Sequence, residues 1–365
     1  MFNPDRFRLA RLRRRRTKRE LAAALGVNEN TIRRYEAGET VPSDDTLETI
    51  SRLLAFPRAF FFAETPDEPP DNASFRSMSD LPARDRDAAL AAGALAFGLD
   101  DWVRQRFDLP ATDILDLTGE EPEAAARALR QAWGIGERPI RNMVHLLEAK
   151  GVRVFSLAEN TRAVDAFSVW RRSAPYVFLN TLKTAEHGRM DAAHELGHLA
   201  LHKHGGPGGR QAEYEAQRFA LAFLMPRADV LAELPRVYGL DAIIRHKRRW
   251  GVSVAALNFW LHKLGITKDW QYRDLSIQIA ERGLRLAEPP GTELPREMSA
   301  VWPKVMDALR REGIGKYDIA DALALPVEEL ENLLFMLTPM LSVDGGKLGA
   351  PQRSRAKLRV VENTP

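Results

Sequence analysis

The chain has 365 residues, of which 45% are hydrophobic and 28% are charged, a balance typical of a folded protein with two or three domains. Its 53 Lys and Arg residues against 50 Asp and Glu leave a formal charge of only +3, so a nucleic-acid site must come from a local basic cluster. The absence of cysteine excludes disulfides, cysteine-ligated zinc, iron–sulfur clusters and thiol nucleophiles.

Changes in composition and periodicity predict an α+β fold, mainly α, in five segments. These segments are a helical N-terminal domain (1–64), a linker and helical connector (65–138), a mixed helix and strand domain (139–235), a helical region (236–340) and a disordered basic tail (341–365). No apolar run approaches the roughly 20 residues that span a bilayer, and the basic N-terminus lacks the apolar core of a signal peptide. We therefore expect a cytoplasmic protein that does not contact a membrane.

Residues 17–36 have the pattern of a helix-turn-helix. Gly26 provides the left-handed turn that glycine adopts at little cost, and Asn28 is a favourable N-cap for the second helix. In that helix Ile32 and Tyr35 are spaced to face the core, which leaves the polar residues between them exposed. The segment therefore predicts a DNA-binding unit.

Candidate DNA contacts are the polar residues of this motif that do not face the core. A recognition helix needs polar side chains at its N-terminal end to reach base edges, with arginine nearby for guanine or phosphate. Nine basic residues within residues 1–20 strengthen this prediction. The alternative is that the basic run is a solvated face of a helical adaptor. The predicted DNA-binding residues are Lys18, Asn28, Asn30, Thr31, Arg33 and Arg34.

Residues 139–180 change to a mixed pattern of helix and strand. A helix and a glycine turn lead into a strand over residues 152–157, and two further strands follow, joined by a turn around residues 173–175. Tyr176 and Val177 are candidates to bind an extended peptide by strand addition, provided that they lie on an edge strand.

The sequence His-Glu-Leu-Gly-His at residues 194–198 predicts a metal site. Residues four apart lie on one face of a helix, so His194 and His198 can ligate one ion, while Glu195 lies beside them and can activate water. The bland alternative is a surface helix with two stacked histidines. We predict zinc as the cofactor and Glu195 as the catalytic residue.

A third ligand is expected from the helix after the glycine-rich loop, which ends before Pro226. Glu213 is favoured because its face carries small residues that permit close approach of two helices, and Glu215 is the fallback. His202, one turn beyond His198, could substitute as the third ligand, but we favour either a residue that supports the ligands or a helix-end residue. Three groups are unranked candidates to stabilise an oxyanion: Tyr214, Arg189 and Arg218.

The C-terminal region contains two more helical patterns. Residues 245–264 suggest either a second helix-turn-helix or, as favoured here, a helix pair that packs against the preceding domain. Residues 299–336 again have the rhythm of a helix-turn-helix, but Glu328, Glu329 and Glu331 occupy the face that would meet DNA. Because acidic side chains repel phosphate, we interpret this element as a contact to a partner or a second copy.

Two stretches resemble known families. The segment TIRRYEAGETVPSDDTLETISRLL is similar to the XRE-type helix-turn-helix of phage repressors. HELGHLALH, followed by ExEAxxFAxxFLMP, resembles the ImmA/IrrE metallopeptidases, which are often fused behind such a motif. The resemblance implies a zincin-like domain that holds zinc through His194, His198 and Glu213, with Glu195 as general base. It also implies cleavage of a repressor-like protein in response to stress or a signal.

The function expected from these features is a transcriptional regulator that binds double-stranded DNA, as a homodimer by default, and hydrolyses a peptide bond. One alternative keeps both sites but makes the zincin-like domain a sensor or scaffold without significant proteolysis. Another makes the chain the neutralising partner in a toxin–antitoxin or prophage operon.

Overall fold

The computed structural model describes residues 1–65, 67, 82–157, 166–204, 209–285 and 287–338, together with the backbone of residues 356–357. The fold is α+β and mainly α, as predicted. Most of the predicted linker at 65–72, most of the glycine-rich loop at 205–209 and nearly all of the predicted disordered tail lie outside the described residues. Within the described chain, no helix is both long enough and apolar enough to cross a membrane.

The N-terminal domain is a bundle of short helices around an aromatic and aliphatic core. Thr17 begins the second helix with a reciprocal capping box to Glu20, and Gly26 ends it with φ of +67°, in the left-handed region. Asn28 caps the third helix by accepting a hydrogen bond from the backbone N–H of Asn30. The helices are α1 (Pro4–Arg13), α2 (Lys18–Leu25), α3 (Glu29–Glu36) and α4 (Asp44–Leu54), followed by a 3₁₀ turn (Arg58–Phe62).

A long helix, α5 (Ala83–Arg104), connects this domain to the rest of the chain. Near its start Asp85 accepts a hydrogen bond from Arg15 at 2.9 Å. Near its end Asp101 receives a bidentate pair of bonds from Arg171, at 2.6 and 2.8 Å. The helix therefore contacts the N-terminal bundle at one end and the sheet at the other. Three short elements follow it: β1 (Phe107–Asp108), α6 (Pro122–Ala132) and α7 (Met143–Ala149).

The central domain is a three-stranded sheet covered by helices. Its strands are β2 (Arg153–Ser156), β3 (Ala166–Arg171) and β4 (Ala174–Leu179), and its helices are α8 (Ala185–Leu201), α9 (Arg210–Leu224) and α10 (Arg227–Glu233). The strand order is β2-β4-β3, with β2 parallel and β3 antiparallel to β4. Strand β4 is buried along its length.

Tyr176 and Val177 do not lie on an edge strand, so their candidate role in strand addition is wrong. Both residues lie on β4, which is hydrogen-bonded on both sides, and both are fully buried. The Tyr176 hydroxyl donates to Asp100 of α5 at 2.6 Å. Burial of this ring therefore supports the core rather than a substrate, because no backbone group of a central strand is free to pair with a peptide.

The helices after the central domain complete the described fold. They are α11 (Leu240–Trp250), α12 (Val254–Lys263), α13 (Asp269–Glu281), α14 (Val301–Arg311), α15 (Lys316–Ala322) and α16 (Val327–Leu334), and a final strand, β5 (Ala356–Lys357), pairs parallel with β1. The α11–α12 pair packs against the central domain, as favoured: the Trp260 indole donates to the Met225 carbonyl at 2.8 Å, and the Lys247 ammonium bonds Glu186 at 2.9 Å.

The α15–α16 pair has the helix-turn-helix shape that its sequence predicts. Ala324 adopts a positive φ of 54° in its turn, as Gly26 does between α2 and α3, and Leu330 is buried in α16 as Ile32 is in α3. Its acidic face is used partly inside the chain. Glu329, which is 1% exposed, bonds Arg13 at 2.7 Å and also bonds Arg14. Glu331 bonds Lys316 of α15, and Glu328 is exposed. Of the three predicted partner contacts, Glu329 therefore meets the chain's own N-terminal domain.

The basic run at the N-terminus is used mostly inside the protein, contrary to the expectation that it faces nucleic acid. The Arg14 guanidinium stacks 4.6 Å from the centre of the Phe56 ring, for example. Of the nine basic residues of this run, Arg8, Arg16 and Arg19 are exposed. Pairs with other parts of the chain are Arg6 with the Glu64 carbonyl, Arg11 and Lys18 with Glu36, Arg13 and Arg14 with Glu329, and Arg15 with Asp85.

Substitution Glu329→Gln should destabilise the chain because it removes the buried carboxylate that pairs with the Arg13 and Arg14 guanidinium groups. Removing one partner of a buried ion pair costs about 3 kcal/mol. Urea unfolding followed by tryptophan fluorescence should show this loss as a lower midpoint. Limited proteolysis should also be faster where the N-terminal domain contacts α16. Glu328→Gln, at the exposed neighbouring position, is the matched control. Equal midpoints for the two variants would contradict the proposed role of Glu329.

Candidate metal centre and nucleic-acid interface

Helix α8 presents two histidines on one face. Thr184 caps its N-terminus by accepting a hydrogen bond from the His187 backbone N–H, and the helix continues to Leu201. Its apolar side, which includes Leu196 and Leu199, is buried against the sheet. The Nε2 atoms of His194 and His198 lie 3.1 Å apart, so both imidazoles point at the same place.

A glycine lets the neighbouring helix approach this face. Gly197 lies against Ala216 of α9, and a Cβ atom at position 197 would sit 3.2 Å from the Ala216 backbone and 3.1 Å from the Phe219 ring. Ala216 and Ala220 are fully buried in this contact region. Small side chains on both helices therefore set their separation, as the sequence predicts for the face that carries Glu213.

The close approach brings Glu213 to the two histidines. Its Oε2 lies 3.2 Å from His194 Nε2, and its Oε1 lies 3.4 Å from His198 Nε2. The three ligand atoms of this cluster all lie within 4.8 Å of one another. The structure therefore brings together the two predicted histidine ligands and the favoured carboxylate.

The donor set fits a transition-metal ion. Two imidazole nitrogens and one carboxylate oxygen are the protein ligands of many metal sites that leave a position open for water or substrate. Glu213 Oε1 is also buried and makes no hydrogen bond to any described residue. A buried carboxylate oxygen without a donor is unfavourable, and a bound cation would satisfy it.

Electrostatics at the cluster favour an ionised carboxylate. Burial alone would raise the pKa of Glu213, but the hydrogen bond from His194 and the charges of His194 and His198 outweigh it and lower the pKa to about 2. Burial likewise opposes protonation of His194, whose pKa is nevertheless raised by Glu213, Glu195 and Asp191. Glu213 is therefore anionic at neutral pH, whereas a metal must displace a proton that His194 holds more readily than a free imidazole.

Glu195 follows the first ligand and is 2% exposed. Its charge contributes to the raised pKa of His194. Its backbone carbonyl accepts a hydrogen bond from Ser168 of β3 at 3.3 Å. The edge strand β3 therefore packs directly along the helix that carries the predicted catalytic residue.

Other candidates from the sequence have different positions. Glu215 turns away from the cluster and bonds His202 at 3.0 Å, so the fallback carboxylate is not near the two ligand histidines. Arg189 is buried and donates to the Trp250 carbonyl and to Glu297, which removes it as an oxyanion stabiliser. Arg218 binds Glu121 and Glu123 and stacks on exposed Tyr214.

Sequence reasoning did not single out Asp191, which precedes the motif by one helical turn. Burial raises its pKa to about 7, and its Oδ2 lacks a hydrogen-bond partner among the described residues. Its Oδ1 lies 3.5 Å from His187 Nε2, and its charge contributes to the raised pKa of His194. Its spacing of three residues from His194 was the signal that could have identified it.

The predicted DNA-binding residues lie on or next to α3. Asn28, Asn30, Arg33 and Arg34 have exposed side chains, whereas Ile32 and Tyr35 are buried as expected. Thr31 is partly buried, and Lys18 bonds Glu36 at 2.9 Å while remaining 38% exposed. Arg33 and Arg34 pair with the exposed residues Glu29 and Glu39. Such exposed pairs are weak and leave both guanidinium groups free to exchange partners.

Comparison with protein families supports both parts of this description. Residues 7–61 match the helix-turn-helix family, which supports binding of double-stranded DNA. Residues 147–262 match the IrrE N-terminal-like domain, a metallopeptidase-like family, and this match includes α8, α9 and α11. No curated protein matches the chain.

Substitution Gly197→Ala should weaken metal binding because the new methyl group pushes α9, and Glu213 with it, away from the histidines. Overpacking of this kind costs about 1–3 kcal/mol. If that cost destabilises only the metal-bound conformation, zinc affinity falls by roughly 5- to 150-fold. Competition with a chromophoric chelator measures zinc affinity directly. Gly188→Ala on the same helix is the control, since a Cβ there meets nothing within 4 Å. Identical zinc affinity in both variants would show that the helix contact does not control the site.

Proposed function

Because the chain joins an XRE-type helix-turn-helix domain to an IrrE/ImmA-like metallopeptidase domain, we propose that it is a DNA-binding transcriptional regulator with a zinc-dependent peptidase activity. The observation that carries the proposal is the convergence of His194, His198 and Glu213 beside Glu195. If the two histidines were only stacked on a surface helix, nothing would require a carboxylate from another helix to lie at the same point.

In this proposal His194, His198 and Glu213 hold a zinc ion. When bound, zinc lowers the pKa of water towards neutrality and polarises a peptide carbonyl. The chain's own contribution is to fix three ligands on two packed helices, with α9 braced against α8 at Gly197. A rigid ligand set of this kind leaves a coordination position for water and substrate.

Glu195 is the proposed general base. Its carboxylate takes a proton from the attacking water as the new carbon–oxygen bond forms, and it passes that proton to the nitrogen of the leaving amine as the peptide bond breaks. Its low exposure restricts competing contact with bulk water. Tyr176 and Val177 lie on the central strand β4, so we do not assign strand addition of an extended substrate to them.

The substrate class proposed is a repressor-like protein, which cleavage would remove from DNA. The DNA-binding domain supports this choice because it places the peptidase near other proteins bound to the same DNA. We further propose a cytoplasmic location and a homodimer, since repressor-type helix-turn-helix proteins commonly bind palindromic sites as dimers.

A second candidate function keeps the DNA and metal sites without significant hydrolysis. In this version the zincin-like domain acts as a sensor or a scaffold. The ion pairs of Glu329 with Arg13 and Arg14 link the conformation of that domain to the DNA-binding domain. An antitoxin role is a third version, favoured if a small toxin gene lies beside this one.

The variant Glu195→Gln separates peptidase from scaffold. It should retain one equivalent of zinc, because residue 195 is not a ligand, and lose peptide hydrolysis by about 10²–10⁴-fold, because the proton acceptor is gone. Elemental analysis gives the metal content, and proteomics of cells with each variant identifies cleaved proteins.

The contrary result is equally clear. If Glu195→Gln controls its promoter normally and the cleaved proteins are unchanged, the domain acts as a sensor. If carefully purified wild-type protein holds much less than one equivalent of zinc, the metal assignment itself is wrong.

Substitution Arg33→Ala should weaken DNA binding because it removes an exposed cation from the predicted recognition helix α3. Loss of a base contact would cost about 1–3 kcal/mol of binding free energy and relax sequence specificity at one position. Loss of a phosphate contact would weaken binding to all sequences and reduce the slope of log affinity against log salt by about one. Fluorescence anisotropy at several salt concentrations distinguishes these outcomes. The control is Arg52→Ala, which removes the same charge from an exposed position on α4. Equal losses in the two variants would indicate that only the net charge matters.

A further inference from the structure

A chain of hydrogen bonds extends from the metal cluster to the surface of α9. His198 Nδ1 lies 3.0 Å from His202 Nδ1, and His202 Nε2 lies 3.0 Å from Glu215 Oε2. Gln211 donates to the other oxygen of Glu215 at 2.8 Å. The side chains of His198 and His202 are 4% and 11% exposed, so water competes little for these contacts.

We propose that His202 and Glu215 are positioning residues that fix the ring orientation and tautomer of His198 for zinc. The proposal rests on the zinc site described above and extends it to two residues that do not contact the metal. Histidine ligands generally donate their second ring nitrogen to an acceptor, and losing that acceptor costs about 10- to 100-fold in metal affinity. Here the acceptor is a second imidazole, backed by a carboxylate.

The donors and acceptors of this chain are mutually consistent. His198 has its Nε2 at the cluster, so binding a metal there requires the proton on Nδ1. His198 Nδ1–H then donates to His202 Nδ1. His202 Nδ1 must therefore be unprotonated, and the ring proton of His202 lies on Nε2. Glu215 accepts from that Nε2 and also from Gln211. When both imidazoles are neutral, each nitrogen has one role, and the only arrangement of protons that satisfies all three contacts is the one that metal binding needs.

Position along the two helices explains why neighbouring glutamates differ. Glu213 meets His194 and His198, whereas Glu215, two residues later, meets His202 at the C-terminal end of α8. His202 also caps α8, because its backbone N–H donates to the His198 carbonyl. A purely structural role for His202 would therefore require only its backbone and the volume of its ring.

The test separates ring volume from hydrogen bonding. His202→Phe keeps an aromatic ring but has no acceptor, while His202→Asn loses the ring and can place its side-chain oxygen where Nδ1 lies. We expect zinc affinity, measured on the full chain by chelator competition, to fall about 10- to 100-fold for His202→Phe. His202→Asn should retain most of the wild-type affinity. Glu215→Ala should show a partial loss.

His204→Ala is the matched control, since His204 is an exposed histidine that pairs with Asp116 outside the cluster. If His202→Phe binds zinc as tightly as wild type, or more tightly than His202→Asn, the positioning role is wrong although the zinc site stands. If wild-type protein binds no zinc, the proposed peptidase and this inference fail together.

A second measurement needs no variant and so does not depend on the folding of any substitution. In ¹⁵N NMR of the zinc-loaded protein, His198 should carry its proton on Nδ1 and His202 on Nε2. A proton on Nδ1 of His202 would overturn the proposal, because that nitrogen could not then accept from His198.

Discussion

The close contact of α8 with α9 is the constraint on which the candidate centre depends. Gly197 lies between the two histidines of the motif and removes the side chain that would otherwise separate the helices. Ala216 and Ala220 do the same on the facing helix. This contact carries Glu213 to the histidines and, two residues later, Glu215 to His202. One packing distance therefore determines both the ligand set and the hydrogen-bond chain behind it.

Two further contacts relate this centre to the DNA-binding domain. Helix α5 bonds the N-terminal bundle through Asp85 and the sheet through Asp100 and Asp101. Helix α16 bonds the bundle through Glu329. The Arg13–Glu329 pair is charged and buried on both sides, so breaking it is costly. The metal centre and the DNA-binding domain are thus joined by direct contacts through α5 and α16. Glu329 of the acidic helix-turn-helix takes part in these contacts and does not face DNA.

The features predicted correctly from the sequence were those encoded by local spacing. The turn at Gly26, the cap at Asn28 and the shared face of His194 and His198 each depend on residues within one or two helical turns. Small residues on the face of Glu213 made even its approach to α8 predictable. The candidate role of Tyr176 was wrong because strand order depends on pairing between distant segments, which a strand's own sequence does not encode. The N-terminal arginines were misassigned for the same reason, since Glu329 lies more than 300 residues away from Arg13.

The donor atoms of the centre are nitrogen and oxygen, and the chain has no cysteine thiolate to add to them. Peroxide and similar oxidants release metal from many proteins by attacking thiolates, and this route is absent here. Acidification remains effective, because protons compete with the ion for imidazole and carboxylate. Occupancy of the centre would then follow the supply of metal and the acidity of its surroundings while remaining insensitive to the redox state of the cell.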